Sequence, residues 1–235
     1  MGLYSVYHII YIAIYVVLIA LSILACKFLF KTDKSRGIYM RVLGGLLFAS
    51  LIINRISLTV WDNNAIGIRE MIPNTYCGMS SLLLGIVLMT GKRDIAVYHF
   101  LWWLELVGGI ACVFYPTFIN QGPSFFFLPT ITGLNHHALG SLICITMVYT
   151  KWIKPSFKYW YAFPIGIAAY TLFGLFLIDV LKIFHTMIID EPAVPKTPLK
   201  WWFILIFGSA AVAVITFGID KIKYALEKRA IKKPL

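Results

Sequence analysis

The sequence predicts an all-α polytopic membrane protein, a single domain of seven transmembrane helices over residues 1–235. Its composition is 60% hydrophobic and only 13% charged, with a mean hydropathy of +0.83. That leaves too little polar surface to cover a water-soluble protein. The chain also holds seven apolar runs near the ~20 residues that a bilayer-spanning helix needs. These runs cover about 4–30, 38–60, 72–91, 95–116, 129–150, 159–184 and 201–219.

Each run is predicted to be a helix because it is apolar on nearly all sides, and a lipid-embedded segment must satisfy its own backbone hydrogen bonds. The first run is expected to be a span and not a cleaved signal peptide, since no basic residue precedes Tyr7. Pro73 stands at the start of the third run, where proline is favoured. The loop 117–128 is uncharged and contains three phenylalanines at 125–127. We expect it to be either an interfacial anchor or a lid over the bundle.

The distribution of Lys and Arg predicts the orientation of the helices. If the amino terminus lies outside, 16 of the 21 Lys and Arg residues fall on inner segments, and the outer side keeps only Arg69, Lys182, Lys196 and Lys200. The positive-inside rule therefore predicts an outside amino terminus and a cytoplasmic carboxyl terminus, in a cell membrane. The net charge of +11 indicates contact with anionic lipid and not with nucleic acid, because the basic residues form no single stripe.

Polar residues inside the predicted spans indicate a site in the outer half of the bilayer. With this orientation and a rise of ~1.5 Å per residue, polar side chains from four helices fall at similar depths. They are Asn54, Arg55, Cys77, Asn135, His136, His137 and Asp179, with Glu105 somewhat deeper. Ionisable groups in hydrocarbon are costly unless they face a polar interior. We therefore expect these residues to line one cavity that opens toward the outer leaflet.

Some of these residues have a purely structural alternative. Arg55 and Asp179 at matched depth fit an ion pair between the second and sixth helices as well as they fit a substrate-binding arginine. Glu105 on its own is typical of a buried, protonated group that hydrogen-bonds two helices. The adjacent His136 and His137 point roughly 100° apart on a helix, so both are accommodated only if that helix is enclosed or lines a polar pocket.

The four cysteines are expected to differ in role. No pair of them has a Cys-x-x-Cys or zinc-type spacing, so we predict no disulfide framework, no metal site and no cofactor. Cys26, Cys112 and Cys144 are expected to be small core residues. Cys77 lies in the first turns of the third helix, where the positive end of the helix dipole favours a thiolate. A histidine at the same depth would take its proton and then protonate a leaving alcohol, as nucleophilic acyl transfer requires.

Short motifs spread over residues 54–150 form a series. They are NRISLTVW at 54–61, IPNTYCG at 72–78, LMTGKRD at 88–94, GGIACVFYP at 108–116, and FFFLP with NHHAL within 125–139. The series resembles the bacterial YwaF-like integral membrane family, which is related to the eukaryotic transmembrane protein 164. The resemblance implies seven helices and cysteine-dependent phospholipid acyl transfer, on a fold related to membrane lipid hydrolases. Carried over residue by residue, it implies Cys77 as the family's cysteine and His137 as its helix-5 histidine.

Three classes of function remain open. In the first, the protein is a lipid-directed acyltransferase or hydrolase in which Arg55 and Asn135 stabilise a lipid phosphate or an oxyanion, while Asn54, Asp179 and Glu105 complete the pocket. In the second, it is a transporter or a substrate-capture component that uses the same cavity without covalent chemistry. In the third, it is a seven-helix receptor or photoreceptor, and the retinal version of this class is disfavoured because 201–219 contains no lysine for a Schiff base. The sequence predicts a phospholipid or similar lipid as partner and leaves the oligomeric state open.

Overall fold

A computed structural model of the chain describes residues 4–61, 71–116, 119, 122, 124, 126–192, 196–197 and 199–231. Within these residues the structure is helical and contains no strand, which confirms the predicted fold class. Phe125, Arg69 and nearly all of the predicted outer loop 62–71 lie outside the described residues.

Seven helical segments appear where seven spans were predicted. The first six are α1 (Val6–Phe28), α2 (Asp33–Trp61), α3 (Tyr76–Met89), α4 (Ala96–Phe114), α5 (Leu128–Tyr149) and α6 (Ala162–Asp179). The seventh, called α7 here, runs as α-helix over Trp201–Phe203, as π-helix over Ile204–Gly208 and as α-helix again over Ser209–Ile231. By length and composition, six of these segments suit a membrane span, and α3, with 14 residues, is the shorter apolar helix among them.

Two predicted helix ends are wrong, each for a local physical reason. The sixth helix ends at Asp179 and not near 184, because Lys182 and His185 adopt positive φ angles of 56° and 57° that no α-helix accommodates. The seventh continues past 219 to Ile231, since its exposed basic and apolar residues are good helix formers.

The described chain forms two compact units. The first comprises Met1–Asp94 and Leu101–Ile153, and so contains α1, α2, α3, α5 and most of α4. In it α2 packs against α3 and α5, and α1 packs against α5. In the apolar 18-residue stretch of α5, 72% of the residues are buried, a larger share than in any other described span. α5 is therefore the central helix of this unit.

Three connecting loops of the first unit meet at one end. Arg93 donates to the Asp33 carbonyl at 2.8 Å and its guanidinium stacks over the Trp152 ring at 4.6 Å. The Asp94 N–H donates to the Trp152 carbonyl at 3.1 Å. The loops that follow α1, α3 and α5 therefore lie together, as expected of three loops predicted to share the cytoplasmic side.

The second unit comprises Ile95–Phe100 and Lys154–Leu235. His99 stacks on Tyr159 with ring centroids 4.1 Å apart, and Phe100 packs edge-on against Tyr170 at 4.9 Å. The carboxylate of Asp220, on α7, accepts hydrogen bonds of 2.9 Å from the Ser156 hydroxyl and the Phe157 N–H. These contacts fasten α7 to the segment that leads into α6.

Candidate active site

Cys77, Cys112 and His137 form a compact group of reactive side chains inside the first unit. The two Sγ atoms and one ring nitrogen of His137 all lie within 4.8 Å of one another. In the described part of the chain, no other three His, Cys, Asp or Glu side chains come together in this way. We call these three residues the thiol–imidazole cluster.

A short cap places Cys77 at the start of α3. The hydroxyl of Thr75, the N-cap residue, accepts the Gly78 N–H at 3.1 Å and fixes the first turn. With 14 residues, α3 is ~21 Å long, whereas the hydrocarbon core is ~30 Å thick. The cap therefore suits a position below the membrane surface, and irregular backbone is tolerated there where it lines a cavity.

Two adjacent glycines let α4 approach both neighbouring helices. A Cβ on Gly108 would lie 2.8 Å from Cys77 Sγ, so the thiol occupies the space that a side chain would take. A Cβ on Gly109 would lie 2.7 Å from the His137 carbonyl oxygen, so α4 and α5 touch through their backbones. This close packing brings Cys112, one turn further along α4, into the thiol–imidazole cluster.

The members of the cluster differ in accessibility. Cys112 and His137 are each 7% exposed, whereas Cys77 is half-buried. The Sγ atoms of Cys77 and Cys112 lie within 4.8 Å of each other. Nδ1 of His137 is buried without a hydrogen-bond partner among the described residues. Cys77 is thus the least buried residue of the three, and Nδ1 of His137 is free of hydrogen bonds to the described residues.

His136 is held differently from its neighbour. Its Nδ1 lies 3.2 Å from the Thr132 carbonyl oxygen, and a carbonyl only accepts, so the proton of the neutral imidazole is on Nδ1. The ring centroids of His136 and His137 are 4.1 Å apart. The enclosed central position of α5 accommodates both histidines, as their adjacency on the helix required.

A polar cavity of about 140 Å³ adjoins the cluster. It is lined by Asn54, Arg55, Leu58, Thr75, Ile119, Pro129, Gly133, His136 and His137. Arg55 is 6% exposed, and its Nη2 lies 2.5 Å from the position of a Cβ on Gly78, so the guanidinium lies across the first turn of α3. At roughly 30 Å³ per water, the cavity has room for a phosphate-sized group. We call it the arginine cavity.

Glu105 lies next to the cluster and joins three helices. It is 1% exposed, and its Oε1 accepts the Ser81 hydroxyl of α3 at 2.9 Å. Its Oε2 contacts Gly140 of α5 and has no hydrogen-bond partner among the described residues. Glu105 is close enough to Cys77 and Cys112 to interact with both electrostatically.

The structure gathers some of the predicted site residues and separates others. Asn54 lines the arginine cavity and donates to the Thr132 hydroxyl at 3.1 Å. Asn135 lies on the other side of α5, where it accepts the Tyr11 hydroxyl at 2.7 Å and lines a separate cavity of about 410 Å³. Asp179 is exposed at the end of α6 and belongs to the second unit, so its pairing with Arg55 stays a prediction.

Cys112, expected from the sequence to be a core residue only, is buried and is also a member of the thiol–imidazole cluster. The signal was nonetheless present, since Cys112 lies near the outer end of the predicted fourth helix, at the depth assigned to Cys77. The two glycines at 108 and 109 indicate a close helix approach at that level.

The chain matches the model of a known protein family. The model of the TMEM164 family matches residues 3–220, nearly the whole of the described chain. No curated protein matches the chain significantly, and neither does any solved structure.

Proposed function

The chain belongs to the TMEM164 family, and from the geometry of the thiol–imidazole cluster we propose that it is a lipid-directed acyltransferase or hydrolase. Family membership and the apolar helices make it an integral membrane protein. The observation that carries the proposal is the position of a half-buried thiol, Cys77, within 4.8 Å of an imidazole nitrogen of His137. Its location in the cytoplasmic membrane of a bacterium, with the site in the outer half of the bilayer, is part of the proposal.

In the first half-reaction, a ring nitrogen of His137 takes the proton of the Cys77 thiol. The thiolate attacks the ester carbonyl of a phospholipid, and the tetrahedral intermediate collapses with cleavage of the carbonyl–oxygen bond. The acyl group is then a thioester on Cys77, and the lysophospholipid leaves as an alcohol after His137 returns the proton.

The second half-reaction decides between the two activities. If the hydroxyl of a lysophospholipid enters, His137 takes its proton, the oxygen attacks the thioester, and a new phospholipid forms with release of the Cys77 thiol. If water enters, the same steps release a fatty acid. Exclusion of water from a site within the bilayer favours the first outcome.

The arginine cavity is the proposed place for the charged part of the substrate. Arg55 supplies a permanent positive charge with several donors in one plane, which suits a phosphate. Asn54 offers a further amide at its wall. The neighbouring His136 has its Nδ1 occupied by Thr132, so Nε2 is the atom left to face a ligand.

A trapped thioester tests the proposal. Purified protein is incubated with a phospholipid carrying a radiolabelled acyl chain, and label that survives denaturation but is released by hydroxylamine is measured. We expect this label in the wild type and in Cys26→Ala, whose thiol is fully buried in α1. We expect none in Cys77→Ala, and little in His137→Ala. Equal labelling of Cys77→Ala and the wild type would contradict a cysteine nucleophile.

A binding or transport role without covalent chemistry is the second candidate. The cavity of about 410 Å³ supports it, because most of its lining is apolar and Asn135 and Tyr11 supply one polar position. In that case Cys77→Ala would keep full lipid binding, while enlarging Ala138 to tryptophan, within the lining, would abolish it.

A further inference from the structure

We infer that Cys77, Cys112 and His137 together form a binding site for a thiophilic divalent cation of the Zn²⁺ class. Three helices contribute one ligand each, and all three ligand atoms lie within 4.8 Å of one another. Binding needs only these ligands and so goes beyond the proposed acyl transfer. The consequence for catalysis, inhibition, rests on that proposed function.

The distances suit such a cation after a small contraction. With Zn–S bonds of ~2.3 Å and Zn–N bonds of ~2.0 Å, a tetrahedral site holds two sulfurs and one nitrogen roughly 3.5–3.8 Å apart. The cluster atoms are separated by 4.8 Å or less. Adjustments of ~1 Å by rotation of the Cys77 and Cys112 side chains close the difference, without movement of the helices.

A second observation points to a ligand independently of the two thiols. His137 is 7% exposed, and its Nδ1 has no hydrogen-bond partner among the described residues. Burying an imidazole nitrogen without a partner costs free energy, and a bond to a metal ion would offset that cost. His136 satisfies its own Nδ1 through Thr132, so the contrast between the two adjacent rings is specific to His137.

Charge selects the class of cation. Two thiolates, one neutral imidazole and a divalent cation sum to zero, and a neutral complex avoids the desolvation penalty of a buried charge. A monovalent ion such as Cu⁺ would leave a net negative charge. Ca²⁺ and Mg²⁺ prefer oxygen ligands, so sulfur and nitrogen exclude them. Three protein ligands also leave a fourth position for water or a lipid oxygen.

Occupation of the site would hold the Cys77 thiolate against the metal and withdraw it from attack on an ester. The cation would therefore act as a reversible inhibitor that competes with acylation. Cys112, which takes no part in the acyl-transfer steps, is the residue whose loss should relieve this inhibition most specifically.

Spectroscopic titration with Co²⁺ tests the site directly. The full chain, reduced with a phosphine in detergent micelles, is titrated with Co²⁺. We expect one equivalent to produce the visible absorption of tetrahedral cobalt and thiolate-to-metal charge transfer, displaced by Zn²⁺ but not by Mg²⁺. Cys112→Ser and Cys77→Ser should each lose charge-transfer intensity, while Cys26→Ser should keep it. Equal spectra for Cys112→Ser and the wild type, or no spectrum at millimolar Co²⁺, would overturn the inference.

Thioester formation measured with and without Zn²⁺ separates this inference from the proposed function. We expect Zn²⁺ to suppress the thioester in the wild type. Cys112→Ser should raise the required Zn²⁺ concentration at least as much as loss of an outer-shell partner does, roughly 10–100-fold. If the wild type forms the thioester but binds no Co²⁺, the metal site fails and the acyltransferase stands. If it binds Co²⁺ through Cys112 but forms no thioester, the opposite holds.

Discussion

At the scale of single residues, the Cys77 thiol owes its position to the absence of a side chain at Gly108. Its Sγ occupies the volume that a Cβ on residue 108 would need, 2.8 Å away. Sub-ångström placement of a nucleophile relative to its base controls the rate of attack. The glycine is therefore part of the geometry of the thiol–imidazole cluster, although it supplies no reactive atom.

Replacement of Gly108 with alanine should displace the Cys77 thiol and slow its chemistry. Because a misplacement of ~1 Å costs on the order of 100-fold, we expect alkylation of Cys77 by iodoacetamide and thioester formation to fall about tenfold or more. The melting temperature should change little, since alanine favours the helix. The matched control is Gly45→Ala, whose new Cβ would have its nearest contact at 3.9 Å. Unchanged alkylation in Gly108→Ala would show that this contact does not position the thiol.

Depth along the membrane normal was predictable for these residues, but orientation around the helix axis was not. Cys77 and His137 were assigned to one level from hydropathy and helical rise, and they do meet. Asn135, at the same level, points to the other side of α5, and Cys112 joined the cluster unforeseen. In a helix that is apolar all round, no amphipathic pattern marks which side faces which neighbour, so tertiary packing decides.

At the scale of helices, α2 and α3 cross in backbone contact at a pair of glycines. A Cβ on Gly44 would lie 2.6 Å from Leu88 Cβ and 2.9 Å from the Gly85 carbonyl oxygen. A Cβ on Gly85 would lie 3.0 Å from the Gly44 carbonyl oxygen. Lipid supplies no hydrophobic force between helices, so such close packing is a main source of their association. The crossing also fixes α3, and hence Cys77, relative to Arg55 on α2.

Alanine at Gly44 or at Gly85 should force α2 and α3 apart. Overpacking of this kind costs typically ~1–3 kcal/mol, so the midpoint of thermal unfolding in detergent should fall by about 2–10 °C. Gly45→Ala, one residue along the same helix, should leave the midpoint unchanged, because its Cβ would make only an ordinary contact, 3.9 Å from Met89 Sδ. Equal midpoints for Gly44→Ala and Gly45→Ala would mean that the helices separate without cost.

The turn that follows α6 is held by the carboxylate of Asp190 and should loosen in acid. Partial burial opposes ionisation, but the N–H groups of His185 and Thr186, which donate at 2.7 and 3.3 Å, outweigh it and lower the pKa of Asp190. A lowered pKa means that the stabilisation is present above the unfolded value of ~3.9 and is lost as the pH falls through the folded value. Hydrogen exchange in 183–192, corrected for intrinsic rates, should therefore accelerate below about pH 4. Asp190→Asn should abolish this pH step, and a step that persisted would assign it to another group.

At the scale of the whole chain, hydropathy and charge predicted the seven helices and the grouping of the loops. Arg93, Asp94 and Trp152, from two of the loops predicted to be cytoplasmic, contact one another in the first unit. The arginine cavity is lined by residues that the sequence analysis assigned to the outer half of the bilayer, among them Asn54, Arg55 and His136. Orientation across the membrane stays a prediction from the Lys and Arg asymmetry, because that asymmetry is a property of insertion and leaves no mark on internal packing.

Cysteine labelling in intact cells tests the predicted orientation. Cysteines introduced at the exposed positions Glu191 and Lys196 should react with a membrane-impermeant maleimide, and those at Lys34, Lys92 and Lys154 should react only after permeabilisation. The five cysteines are introduced into Cys77→Ala, which also serves as the blank, because its three remaining cysteines are buried. Permeabilised cells must label all five positions, so that protection reflects sidedness and not packing. Labelling of Lys34→Cys in intact cells, with protection of Glu191→Cys, would place the thiol–imidazole cluster in the inner leaflet, and its substrate would then have to be a cytoplasmic-leaflet lipid.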